Sequence, residues 1–127
     1  MKKDISNRQD IYLLVKTFYV RLMNDDLVAH FFEDFTNPIL LEEHLQTLVD
    51  FWDNVLFYSG GYRKNAMLPH LKLQETKPFS TRHFKCWLSN FNLTIDELFE
   101  GEIAHAAKTR ALSIATVMEI KINELKN

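Results

Sequence analysis

An all-α fold follows from three features of this 127-residue sequence. Apolar residues recur three and four positions apart in long stripes, as one face of a helix requires. No stretch of useful length alternates with period two. The stripes also open on Ser, Thr or Asn and close near Gly or Asn, where helices start and stop. A single domain over residues 1–127 is expected, because a domain takes roughly 100 to 200 residues. Hydrophobic residues make up 46% of the chain and ten are phenylalanine, enough for one core of bulky side chains.

The first helix is expected from the capping-box pattern Ser6-Asn7-Arg8-Gln9 ahead of the stripe Ile11, Leu14, Val15, Phe18, Tyr19, Leu22. Tyr19 falls on that stripe. Its ring packs well there, but its hydroxyl needs a partner, either a backbone carbonyl or a ligand. Asn24-Asp25-Asp26 ends the helix. Leu27, Phe31, Phe32 and Phe35 then form a short aromatic segment, suited to capping a core or to stacking on a flat ligand.

Asn37-Pro38 supplies an N-cap followed by proline at the first helical position. The helix it starts runs to about Tyr58, with Leu41, His44, Leu45, Leu48, Phe51, Trp52 and Val55 inward. His44 on that face is either a satisfied boundary residue or a ligand contact. Ser59-Gly60-Gly61 turns the chain, and Tyr62-Arg63-Lys64-Asn65 is polar and basic. Asn65 can cap a short helix carrying Met67, Leu68 and His70, which Gln74-Glu75-Thr76-Lys77 and Pro78 hold to a couple of turns.

Ser80 or Thr81 can cap the next helix, striped by Phe84, Trp87, Leu88 and Phe91, and Thr94-Ile95-Asp96-Glu97 repeats the capping-box pattern. Gly101 separates that turn from a final helix. There Ile103, Ala107, Ala111, Ile114, Met118 and Ile122 face inward, with Lys108, Arg110, Glu119, Lys121 and Glu124 toward solvent.

A net charge of -2 gives no broad basic field, which argues against a nucleic-acid partner. The polar start, Met1 to Arg8, and the absence of a membrane-length apolar run lead to the expectation of a soluble, cytoplasmic protein with no membrane partner. Cys86 is the only cysteine. It excludes an intramolecular disulfide, a multi-cysteine metal site and the C-x-x-C-H attachment of a c-type haem. Cys86 itself reads as a small apolar packing residue rather than a reactive thiol.

Two histidines bracket the Gly60-Gly61 break, His44 before it and His70 after it, and they can face each other across a gap. A flat, apolar group such as haem suits that gap. A short helix among loops is poorly explained by core packing. One that holds a metal ligand has a reason to be there.

The ordered set of features resembles the truncated haemoglobins, most closely their third group. It is carried by Phe18-Tyr19, Phe31, Glu43-His44 and Asp50-Phe51-Trp52, then by Gly60-Gly61-Tyr62-Arg63-Lys64-Asn65 and His70-Leu71-Lys72-Leu73, and finally by His83-Phe84-Lys85-Cys86-Trp87-Leu88. It runs from about Ile11 into the last helix. The resemblance implies a truncated globin fold, a 2-on-2 helical sandwich around haem b. It implies His70 as the proximal iron ligand and His44 at the distal position facing bound gas, with Leu48 one turn later on the same wall. Tyr19 would reach the gas from the first long helix, and Trp87 from the helix behind it. Phe31 would stack on the macrocycle, Met67 would contact it from the short helix, and Trp52 would fill the position two turns beyond His44.

Arg63 and Lys64, just before the proximal helix, are candidates to pair with the haem propionates, or else are solvated surface charges. His83 could be named the iron ligand instead of His70. At the first turn of its helix, beside the inward stripe, it reads rather as a capping or surface residue.

A neutral imidazole is a good axial donor for iron, and five-coordinate ligation leaves a sixth position for dioxygen or nitric oxide. Donors from Tyr19 or Trp87 stabilise a ligand that carries negative charge. Ligand binding or redox detoxification is therefore implied, rather than rapid oxygen delivery. The alternative is a peroxidase-like or nitric-oxide-oxidising enzyme, and turnover of either kind would need an external electron donor. A third reading, a haem-free helical binding module, gives no reason for placing Tyr19, His70 and Trp87 inward together.

Overall fold

Four α-helices and one 3₁₀ helix, with no strand, make up residues 2–57 and 80–126, which the computed structural model describes. The helices are α1 (Arg8–Met23), α2 (Pro38–Phe57), α3 (Thr81–Leu98) and α4 (Glu102–Lys126), and the 3₁₀ helix spans Ala29–Thr36. Arg63, Lys64, Met67, His70 and the short helix expected to carry them lie outside the described residues. Among those described, no helix is long and apolar enough to cross a membrane.

All six stripe residues of α1 are buried, from Ile11 to Leu22. The helix begins one residue later than the capping-box pattern proposes. Asn7 is the N-cap, its side chain accepting from the Asp10 N–H at 2.8 Å. Ser6 instead donates its hydroxyl to Asp10 at 2.9 Å, so an acid inside the first turn gathers the groups that the pattern assigned to Gln9. Helix α2 starts where Asn37-Pro38 indicates, the Asn37 side chain accepting from the Ile39 N–H at 2.9 Å. It buries Leu45, Val49, Trp52 and Leu56.

Ser80 caps α3 in a capping box whose return partner is His83. The second box, at Thr94, does not start a helix. α3 runs unbroken to Leu98, and the fully buried Thr94 donates its hydroxyl back to the Asn90 carbonyl at 2.7 Å. The inward face of α4 reads Ala104, Ala107, Ala111, Ala115, Met118 and Ile122, with Ile103 and Ile114 half-buried on its border.

The first turn of α4 takes its cap from the other end of the sequence. Asp4 accepts from the backbone N–H of Ile103 at 2.9 Å and of Ala104 at 2.8 Å, while Glu100 donates its N–H to the Lys3 carbonyl at 3.0 Å. Gly101 makes room for this. Its φ is +151°, and an added Cβ would stand 2.4 Å from the Asp4 carboxyl carbon.

Helix α1 packs on α2 and α3, α3 packs on α4, and the 3₁₀ helix lies over α1 and α2. A cluster of rings holds the centre. Fully buried Phe91 meets Phe18 edge-on at 5.1 Å and stacks on Trp52 at 5.1 Å and on Trp87 at 5.9 Å.

Burial acts to raise the Asp4 carboxyl, but the N–H groups of Ile103, Ala104, Ile5 and Glu102 outweigh it and hold the group below its ordinary value near 3.8. Its contribution to stability is complete above that value and is lost as pH falls through the lower folded value. Asp4→Ala should reduce stability at neutral pH by about 0.5 to 2 kcal/mol, the usual range for a lost helix cap, with the urea midpoint falling and the slope unchanged. In acid titrations the variant should lose less stability than the parent below about pH 4.

Candidate functional site

A cleft of about 380 Å³ opens between α1, α2, α3, α4 and the 3₁₀ helix. Phe18 and Tyr19 of α1 line it, as do Phe31, Phe32 and Phe35 of the 3₁₀ helix, and His44, Leu48, Phe51 and Trp52 of α2. Helix α3 adds His83, Phe84 and Trp87. The stripe periodicity of each helix turns these side chains inward, so the cleft is made by the same faces that make the core. Its volume falls within the range of roughly 300 to 1,000 Å³ usual for small-molecule sites.

Every candidate named from the sequence that lies within the described residues is on this wall: Tyr19, Phe31, His44, Leu48 and Trp87. Tyr19 and His44 are joined directly. The phenol oxygen lies 2.8 Å from His44 Nε2, so the partner of this core tyrosine is a side chain and not a backbone carbonyl. Either group can donate: the phenol to an unprotonated Nε2, or a protonated Nε2 to the phenol oxygen. Burial drives the Tyr19 hydroxyl well above its ordinary titration range, so it keeps its proton at every working pH. Phe35 stacks on the His44 ring at 4.6 Å and fixes the plane in which that ring lies.

Trp87 of α3 stands between Phe18, edge-on at 5.6 Å, and Phe91. Its helix is tethered to the end of α1 by Asp25. That carboxylate accepts from the Cys86 thiol at 3.2 Å and from the Asn90 amide at 3.1 Å. These bonds hold Asp25 below its ordinary value, while burial and then Asp25 itself push the Cys86 thiol up to about 11. Cys86 is thus a donor in a tether between helices as well as a packing residue, and its thiolate is suppressed.

His83 is a cap, as its position suggests, and also a wall of the cleft. Its Nδ1 accepts the Ser80 N–H at 2.9 Å, and its ring meets Phe31 edge-on at 4.9 Å. Burial lowers its proton affinity, with His30 and Arg82 adding to the effect, so the neutral ring is favoured. Ala115 and Met118 of α4, with Ile114, close the far side of the cleft. Their stripe gave only a core signal, because small and flexible apolar residues look the same whether they face protein or ligand.

No protein-family model matches the chain. A protein of Campylobacter jejuni, described as group 3 truncated hemoglobin ctb, is 26% identical over 118 residues, 91% of each chain. A crystal structure of group III truncated hemoglobin from Campylobacter jejuni superposes with a TM-score of 0.85 at 25% identity, covering 96% of this chain and 95% of that one. The all-α arrangement is thus that of the truncated globins, a 2-on-2 helical sandwich.

Asp25→Asn removes the charge that helps suppress the Cys86 thiolate and keeps the shape of the side chain. Alkylation of Cys86 by iodoacetamide, followed as rate against pH, should speed up several-fold at pH 8, with the inflection moving down from about 11.

Proposed function

We propose that this chain, similar in sequence and fold to a group III truncated haemoglobin, is a truncated globin that binds haem b and uses the Tyr19, His44 and Trp87 side of the cleft to hold a small ligand of the iron, dioxygen or nitric oxide. The observation that carries this reading is the hydrogen-bonded Tyr19–His44 pair in a cleft lined mostly by aromatic and aliphatic side chains. A core needs no such pair, because a buried polar group gains little over a well-packed apolar one.

The described walls fit the cofactor. Phenylalanine and tryptophan rings line a mostly apolar cleft suited to a flat, apolar macrocycle, and the polar side chains are few. Phe31, Phe84 and Leu48 would lie against the ring. His70 would hold the iron, and Met67, Arg63 and Lys64 would add contacts to the cofactor, from the resemblance alone. When bound, haem supplies a coordination position for a diatomic ligand and one-electron chemistry on it.

The side chains do the rest. With Nε2–H of His44 donating to the phenol oxygen, Tyr19 is free to point its own proton into the cleft. With the phenol donating to Nε2, that proton stays within the pair. The pair can therefore present or withdraw a donor by exchanging one hydrogen bond for another, without moving a helix. The Trp87 indole N–H makes no hydrogen bond among the described residues and adds a second donor from α3. Two donors converging on one negatively polarised atom slow its release. This arrangement suits tight binding, or chemistry in which charge develops on the ligand, better than rapid delivery. Such chemistry needs an electron donor from outside the chain, and the enzyme reading, peroxidase-like or nitric-oxide-oxidising, uses the same residues.

Absorption spectra of the ferric, ferrous and carbonmonoxy forms test the cofactor. The parent should show a Soret band, and His70→Ala should lose it or shift it to a weakly ligated form, while His83→Ala keeps it. Tyr19→Phe should speed dioxygen dissociation, followed by stopped flow, by on the order of ten- to a hundredfold, the worth of one hydrogen bond to a charged acceptor. An unchanged rate would remove Tyr19 from the site.

A further inference from the structure

Haem b is apolar except for two carboxylates on one edge, so a site for it has to provide donors at its rim. We propose that His83 is such a donor, presenting Nε2–H to a carboxylate of the cofactor. This rests on the haem reading above.

The hydrogen-bond pattern selects His83 from the polar side chains of the wall. Tyr19 and His44 are engaged with each other. Thr47 donates its hydroxyl to the Glu43 carbonyl at 3.1 Å. Asp34 is an acid and would repel a carboxylate. The Trp87 indole lies among Phe18 and Phe91 and is the donor assigned above to the iron's small ligand. His83 is left.

Its tautomer is fixed by the helix it caps. Nδ1 accepts the Ser80 N–H at 2.9 Å, so Nδ1 carries no hydrogen, and in the neutral ring the hydrogen sits on Nε2. Nε2 makes no hydrogen bond among the described residues. The ring cannot swing freely, because Phe31 meets it edge-on at 4.9 Å and the His30 ring lies 5.7 Å away. Arg82, the preceding residue, is exposed. The donor is held in one direction before any ligand arrives, which lowers the entropy lost on binding. A capping box ordinarily uses Glu or Gln at this position. Histidine there does the same capping with one nitrogen and keeps a donor on the other, which glutamate cannot.

That difference supplies the test. Ferric holoprotein, loaded with haem b or with its dimethyl ester, is mixed with excess apo-globin acceptor, and haem transfer is timed for the parent, His83→Glu and Ser80→Ala. Glutamate preserves the box and replaces the donor by an anion. His83→Glu should lose haem b about tenfold faster than the parent, yet lose the ester at the parent's rate. Ser80→Ala, which weakens the cap and leaves His83, should keep the parent's ratio of the two rates. His83→Met, similar in size and without a donor, should move in the same direction if the glutamate variant does not fold.

Equal haem b loss from parent and variant would overturn the proposal. So would acceleration of haem b and ester alike, which marks a loosened helix end. Loss of the axial ligand spectrum in His83→Glu would also overturn it, by making His83 an iron ligand. A parent that takes up no haem would instead defeat the cofactor reading itself.

Discussion

Three helices meet on the ring of Phe91, which touches Phe18 of α1 edge-on, Trp52 of α2 face-on and Trp87 one turn earlier on its own helix. Those three neighbours line the cleft, and Phe91 does not. It is the layer behind the wall. Close-packed rings have few alternative arrangements, so fixing one fixes the others. The direction of Trp87, and the spacing between the α1 and α2 walls that carry Tyr19 and His44, thus depend on a residue set back from the cleft.

Much of this architecture is legible in the sequence because it rests on local periodicity. The α1 stripe, the Asn37-Pro38 start and the Phe91 face each follow from spacing over a few turns. The capping patterns are less dependable. Ser6-Asn7-Arg8-Gln9 and Thr94-Ile95-Asp96-Glu97 both satisfy the motif, yet one helix starts a residue later and the other pattern lies inside a helix. A motif of four residues cannot register that Asp10 competes for Ser6, or that a stripe continues through Thr94. Long-range pairings were beyond reach altogether. Nothing near Tyr19 in the chain announces that its partner is His44, twenty-five residues on, and nothing near Cys86 announces Asp25.

The polar groups of the cleft come from separate elements, each with its own means of being held. Tyr19 and His44 constrain each other across α1 and α2. Trp87 is set by rings and by the Asp25 tether one residue away in the chain, and His83 by the cap it forms. In front of the Phe91 ring that backs the α1, α2 and α3 walls, these nearer supports are separate. A cleft built this way can tolerate drift at one polar position while the others keep their geometry.

The Asp4 clasp bears on how the chain comes together in time. It joins residues 99 and 100 positions apart, so the loop it closes takes in α1, the 3₁₀ helix, α2 and α3. During synthesis, α1 and α2 can form while the capping carboxylate is still unengaged, because the backbone groups it receives have not yet left the ribosome. Closing so large a loop carries one of the highest entropic penalties in the molecule, and contacts of that span slow folding. Asp4 can take up its capping role only once the first turn of α4 is present, whereas the Lys3 side chain and Ser6 are held by Asp10 of α1.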